Sequence, residues 1–438
     1  MLKNTGLKSL LLLPLIAICS TCYAGTRDTV QKEFQFDAVP SKKEAIFKAG
    51  DKINYDIKVT NPFNIVQEGT VSYLVTTLKN EEVASKSINV KIGKRSSDSY
   101  SLSVPAQKKP GFYKISIKIN VTEYDDTLKR VFGVDPQQIV SETERPADFD
   151  AFWSAARAEL KGIAPKFKMI EQVAMRKGDM DVYLIEAQSI NNVTIRGWLT
   201  MSSKKRKPDQ KLPVWLVFPG YGINGYQPIF GPPDLAVITF NLRGQGNSRD
   251  NVHPTTDGYL TTDIENKNRY ILRGAIMDCI RAVDFIYSRP ELDHDNIICS
   301  GESMGGYYSM VTSCLDKRVK FCSSYNPTFS DWRALQGSTS WPMTALVTYS
   351  KNKFIPLPRI FNTLDYFDLK NFSQKLEART IIGISLLDNL APPYNQYTML
   401  NNIKVQHKLF VYPNLAHEVP PSAYNYLSGW MMDEFGIF

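Results

Sequence analysis

The stretch CSGESMGGYY, Cys299 to Tyr308, decides how this chain is read. It contains Gly-x-Ser-x-Gly, with Ser303 at its centre. The pentapeptide is short enough to occur by chance. It gains meaning only when a strand precedes it and a helix follows. Both are present here. DNIIC, just before it, is a short apolar strand, and MGGYYSMVTSCLDKR, just after, is a plausible helix. Gly301, Gly305 and Gly306 allow a tight strand–turn–helix with close packing. That corner exposes the serine hydroxyl and leaves helix N–H groups free for a developing oxyanion.

Working outward, the same pattern recurs. PVWLVFPG, LAVITFN, NIICSG, VKFCSSY, ARTIIGISLL and HKLFVYP are short, nearly continuous apolar runs. Such runs suit parallel strands buried on both faces. Helical stretches lie between them. NRYILRGAIMDCIRAVDFIY repeats its apolar residues at three and four. PADFDAFWSAARAEL predicts a helix starting near Asp148, and DVYLIEAQSI and TIRGWLTMS predict two strands. The alternation predicts a doubly wound, mostly parallel α/β sheet over residues 139–438, and the strand–Ser303–helix corner within it predicts the α/β-hydrolase type. The aromatic-rich region from about Asn326 to Glu377 reads as an insertion over one end of the sheet.

Residues 25–138 read differently. KINYDIKVTN, GTVSYLVTTL, KSINVKIGK and FYKISIKINV alternate apolar and polar residues between turn-forming clusters. About seven short strands predict an immunoglobulin-like β-sandwich. The segment has no histidine and no cysteine, so chemistry is not expected there. It reads as a spacer or docking domain, with carbohydrate binding as the alternative. Residues 1–24 read as a signal peptide: Lys3 and Lys8, the apolar run SLLLLPLIAIC, and a small-residue cleavage site after Ala24. The sequence around Cys19 and Cys22 favours simple export over lipidation. Periplasm and outer surface are not distinguished. No run is long and apolar enough for a membrane span.

The bulk properties fit. The 438 residues are 43% hydrophobic, 11% aromatic and 22% charged, as in ordinary globular proteins. The net charge of +8 is mild, and its one tight cluster, Lys204 to Lys207, reads as a solvated hairpin loop. No basic stripe accompanies it, which argues against nucleic acid. Cys279, Cys299, Cys314 and Cys322 have neither metal-site nor disulfide-framework spacing. They read as buried free thiols, with a Cys299–Cys322 bridge as the alternative in an oxidising compartment.

Ser303 needs a base and an acid, and this fold places histidine last. The four histidines are His253, His294, His407 and His417, and only the last two follow the serine. His407 begins an apolar strand. His417 lies in PNLAHEVPPS, a loop after that strand, and is assigned as base. Among Asp316, Asp331, Asp365, Asp368, Glu377 and Asp388, only Asp388 directly follows a strongly apolar strand and opens a loop. The others read as helix-end or surface residues. Asp388 is therefore the expected acid. The N–H of Met304, after the nucleophile, supplies one oxyanion donor. The N–H of Tyr221, in VFPGYGING, is the candidate for the second.

These segments, with RPADFDAFWSAARAEL, VFPGYG, NLRGQGNS, SGESMGG, TLDYFDLKNF, LLDNLAPP and HE in order, resemble the acetyl xylan esterase and cephalosporin C deacetylase family, carbohydrate esterase family seven. The resemblance covers about residues 140 to 438. It implies hydrolysis of small acyl esters, typically acetyl groups on xylo-oligosaccharides, with no metal or organic cofactor. It implies that Arg243 and Gln245 brace loops near the nucleophile. It also raises a homo-oligomer, since members often form hexameric rings, though the extra sandwich could alter that assembly. Two positions depart from the family pattern. Met304 stands where Gln is usual, and Pro219 where His is usual. The alternatives to this deacetylase reading are a peptidase or other acyl-ester hydrolase on the same sheet, and a non-catalytic glycan- or partner-binding surface protein.

Overall fold

The computed structural model describes residues 33–204 and 210–437. The signal-peptide reading, and Lys205 to Lys207 of the basic cluster, lie outside the described residues. The N-terminal part is all β, with eight strands where about seven were expected. One sheet has the order β1 (Gln35–Pro40), β3 (Ile53–Thr60), β6 (Ser97–Val104). The other runs β2 (Ile46–Phe47), β8 (Tyr124–Val134), β7 (Gly111–Val121), β4 (Gln67–Thr77), β5 (Glu82–Ile92). All pairs are antiparallel except β2 with β8. Alternation in β3 and β7 sends Ile53, Tyr55, Ile57, Ile115, Ile117 and Ile119 into a common core.

The remainder is built on one nine-stranded sheet. Its strands are β9 (Lys168–Glu171), β10 (Met180–Ser189), β11 (Val193–Ser202), β12 (Leu212–Val217), β13 (Ala236–Asn241), β14 (Leu292–Glu302), β15 (Phe321–Tyr325), β16 (Arg379–Ser385) and β17 (His407–Tyr412). The order is β17-β16-β15-β14-β12-β13-β11-β10-β9. From β13 to β17 all neighbours are parallel, and β9 to β11 add an antiparallel edge. Each apolar run is thus a strand. β9 was not expected, because its residues are mostly exposed and its sequence, KMIE, carries no strong period.

Eight α-helices lie in the described chain, besides short 3-10 turns: α1 (Phe149–Lys161), α2 (Ile271–Tyr287), α3 (Met304–Leu315), α4 (Met343–Lys353), α5 (Leu357–Leu364), α6 (Leu369–Ser373), α7 (Pro393–Leu400) and α8 (Pro421–Phe435). α2 and α3 are almost wholly buried, as expected of helices packed between a sheet and further helices. Asp148 does precede α1, but its carboxylate turns to Lys267 and Tyr366 instead of capping the helix. The four thiols are buried and free, so the Cys299–Cys322 bridge is not formed. The two residues are paired neighbours on parallel β14 and β15. Burial pushes both thiols up, away from the reactive thiolate.

α4 to α6 lie in the insertion between β15 and β16. Its interior holds an unexpected polar cluster. Asp368 is 1% exposed and accepts from the backbone N–H groups of Asp331, Trp332 and Lys370. Lys370 Nζ donates to the carbonyl and hydroxyl of Thr143, and Ser141 donates to Asp331, so the interdomain linker closes the cluster. Burial raises the Asp368 carboxyl from its ordinary 3.8 to about 7, against the lowering effect of Lys370. The folded chain therefore keeps a proton that the unfolded chain releases. Stability should fall as pH rises from about 4 to about 7 and level off above. Asp368→Asn should flatten that slope, leaving the variant relatively more stable at pH 8 than at pH 5. Denaturant melts at the two pH values check it.

α7 joins the two parts. Tyr397 packs on Phe112 of β7 with ring centroids 5.4 Å apart. Asn401, at the end of α7, donates to the carbonyls of Pro136 and Ile139 at 2.9 and 2.8 Å.

Candidate active site

Three sequence-predicted residues stand at the C-terminal ends of parallel strands. Ser303 joins β14 to α3. Asp388 follows β16, and His417 follows β17. This is the edge where open α/β sheets bind ligands.

Ser303 has φ 57° and ψ −123°, a backbone conformation that side-chain-bearing residues rarely adopt. It is held there on both sides. Its N–H donates to Tyr325 O at 2.9 Å, and its carbonyl accepts from Tyr307 and Thr328 at 3.0 and 3.3 Å. The glycines permit the corner. A Cβ on Gly301 would lie 2.5 Å from the backbone of Gly305, and one on Gly305 would lie 2.3 Å from Phe218 O. No larger residue fits either position without moving backbone.

His417 Nδ1 and Asp388 Oδ2 are 2.6 Å apart. The Asp388 side chain is fully buried, while His417 keeps 21% of its side chain exposed. The other oxygen, Oδ1, accepts from the N–H groups of Leu390 and Ala391 at 2.9 and 2.8 Å. A carboxylate accepts only, so Nδ1 carries the proton and Nε2 keeps its lone pair. Among the described residues no hydrogen bond joins Ser303 Oγ to His417. Such contacts often tighten only when substrate binds.

Met304 opens α3, and the first N–H groups of a helix lack intrahelical partners. Tyr221 lies in the loop after β12. Gln245 Nε2 donates to the carbonyls of Gly220 and Gly222 at 3.0 and 2.8 Å, fixing the Gly220–Tyr221 peptide, which carries the Tyr221 N–H, and the Gly222–Ile223 peptide. A Cβ on Gly220 would sit 3.9 Å from Glu302 O, so this loop lies against the strand end beside Ser303. The indole of Trp341, from the insertion, packs on Tyr221 at 4.6 Å.

Arg243 works one layer further out. Its guanidinium grips both oxygens of Asp278 on α2, at 2.8 and 2.7 Å, and lies where Gly274 leaves room. The pair is almost entirely buried. Arg243→Met would strand the Asp278 charge and should lower stability by about 3–5 kcal/mol. Chemical denaturation measures this.

The remaining candidates stand apart. His407 is tied to Val405 O at the start of β17. Asp316 pairs with Arg318, and Asp331 and Asp368 belong to the insertion cluster. Sequence reasoning missed Trp341 and the bond from Tyr424 on α8 to Glu302, the residue before Ser303. It also missed Asn326 and Ser385, taken up below. Among the described residues no group of three or more His, Cys, Asp or Glu is placed to hold a metal ion.

Comparison with known proteins now decides the family. The family model described as acetyl xylan esterase matches residues 136–432, more than half of the chain. The chain belongs to the acetyl xylan esterase family. It is a carboxylic ester hydrolase on an α/β-hydrolase sheet. A curated relative, "Acetyl esterase Axe7A" of Xylanibacter ruminicola, is 24% identical over 392 residues, 86% of this chain and 86% of its own length. Two solved acetyl xylan esterases share the fold. The one from Paenibacillus sp. R4 has TM-score 0.63 at 24% identity, covering 68% of this chain and 98% of its own. Acetyl xylan esterase 1 from Thermoanaerobacterium sp. JW/SL YS485 has TM-score 0.62 at 21% identity, covering 68% and 97%. The sandwich lies outside the span that the family model matches. Among the described residues of this family member, no helix is long and apolar enough to cross a membrane.

Proposed function

We propose that this chain is an exported serine esterase that removes acetyl groups from xylan-type oligosaccharides through Ser303, His417 and Asp388. The observation that carries the reading is the 2.6 Å bond from His417 to a fully buried Asp388, on loops beside the corner that presents Ser303. Ser303 Oγ attacks the acetyl carbonyl carbon while His417 Nε2 takes its proton. The C=O π electrons move to oxygen, and the oxyanion is met by the N–H groups of Met304 and Tyr221. As the tetrahedral adduct collapses, the bond to the sugar oxygen breaks and the imidazolium returns the proton to it. The sugar leaves as an alcohol. Water, deprotonated by His417, then attacks the acetyl-serine, and acetate leaves with Ser303 restored.

Asp388 holds the imidazole and favours its charged form. The Tyr221–Trp341 pair supports the carbohydrate part, since it offers an aromatic face beside the proposed oxyanion loop. The N-terminal segment supports export.

The test is acetate release by residues 25–438 from a chromogenic acetate ester and from acetylated xylo-oligosaccharides. Turnover of both is the expected result. Turnover of the small ester alone would move the natural substrate elsewhere, with Met304 the first position to exchange. No turnover of either by folded protein would overturn the deacetylase reading. N-terminal sequencing of protein from the producing cell should find Gly25 first, and an uncleaved chain would overturn export.

A further inference from the structure

The structure assigns Asn326 and Ser385 as positioning residues that hold the loop carrying His417, an inference resting on the triad reading above. Both donate to one atom, the carbonyl oxygen of Glu418, the residue after the histidine. Asn326 Nδ2 lies 2.9 Å from it and Ser385 Oγ 3.2 Å. On the other side of His417, Leu415 O accepts from the N–H of Leu387 at 3.0 Å. The histidine is thus pinned before and after, on a stretch with no regular structure of its own.

The two donors come from the ends of neighbouring parallel strands. Asn326 is the first residue after β15, and Ser385 is the last of β16. Asn326 is 2% exposed and Ser385 is fully buried. Asn326 has φ 44°, where Asn is among the few tolerated side chains, and its N–H donates to Gly383 O at 2.8 Å. Its Oδ1 has no partner among the described residues. The bond to Glu418 is therefore the one side-chain hydrogen bond that Asn326 makes among the described residues. Ser385 also reaches the acid: its carbonyl accepts from the N–H of Asp388 at 3.4 Å. One serine touches both the acid's loop and the base's loop.

The consequence is geometric. A histidine loop free to shift lengthens the bond to Asp388, and misplacement by about 1 Å can reduce rate by about a hundredfold. Loosening that bond removes the partner that holds the imidazole for proton transfer, so the loss falls on kcat and not on KM.

The experiment compares Ser385→Ala, Asn326→Gly and Asn326→Asp with native protein on a chromogenic acetate ester. Glycine accepts the left-handed backbone and removes the amide together with its Cβ. Aspartate places a second acceptor against Glu418 O. We expect kcat to fall about tenfold in the first two and about a hundredfold in the third, with KM for the ester unchanged in each. A residue that only supports the fold would lower Tm and leave kcat of the folded protein where it was. Unchanged kcat in folded Ser385→Ala and Asn326→Gly would overturn the assignment. Should Asn326→Asp not fold, the other two decide. Ser303→Ala runs beside them: turnover surviving in it would overturn the triad, a result separable from an unchanged kcat in the two loop variants.

Discussion

Ser303→Gly should abolish turnover and make the protein more stable. The loss in kcat is on the order of 10⁴ to 10⁶, as when other serine hydrolases lose the nucleophile. The gain follows from φ 57° at a residue with a Cβ. Such a conformation costs about 1–3 kcal/mol, and glycine relieves it. Glycine also gains freedom in the unfolded chain, worth about 0.5–1 kcal/mol in the opposite direction. The net expectation is about 1 kcal/mol of added stability. Ser303→Ala separates the two effects. It removes the hydroxyl but keeps the Cβ, so activity should vanish with little change in stability. Denaturant midpoints and ester turnover on the three proteins give the answer. Near-native turnover by the alanine variant would remove Ser303 from the mechanism.

Asp388→Asn should cost about 10⁴ in kcat with the fold intact. The reason lies in the neighbours. Leu390 and Ala391 both donate to Oδ1, so one side of the new amide must present its oxygen to them. Its NH₂ then faces His417 Nδ1, 2.6 Å away in the native protein. Two donors cannot share that contact. The imidazole must accept at Nδ1 and carry its proton at Nε2, where the serine proton would have to go. Stopped-flow acetylation by an activated ester measures the loss at the first chemical step. A drop of only severalfold would mean that Asp388 does not set the tautomer.

Much of this site was legible because each part obeys a local rule. Strands buried on both faces leave uninterrupted apolar runs, and IIGISLL followed by Asp388 is such a run with a polar group at its end. The serine corner was legible because three glycines mark where backbones touch. His417 was legible by elimination among few histidines. What stayed hidden depends on distant pairing. Asn326 follows the apolar run FCSSY, so its place at a strand end could have been flagged. Its partner, Glu418 O, is a backbone atom 92 residues away and leaves no mark in the sequence. Asp368 read as a helix-end residue, which it is. Its burial depends on Thr143 and Lys370 meeting from positions 227 apart. β2 is two residues long and pairs with β8, far along the chain, so no period announces it.

α7 has a consequence for how the chain tolerates change. It is eight residues of helix, a rod of about 12 Å. One end follows the Asp388 loop, its side meets the sandwich through Tyr397, and its far end holds the linker after β8 through Asn401. A flexible tether would absorb an added or missing residue. A rod does not: each residue turns it by about 100°. A single deletion inside α7 would swing Tyr397 off Phe112 or drag the Asp388 loop with it. The helix is locked to a fixed count.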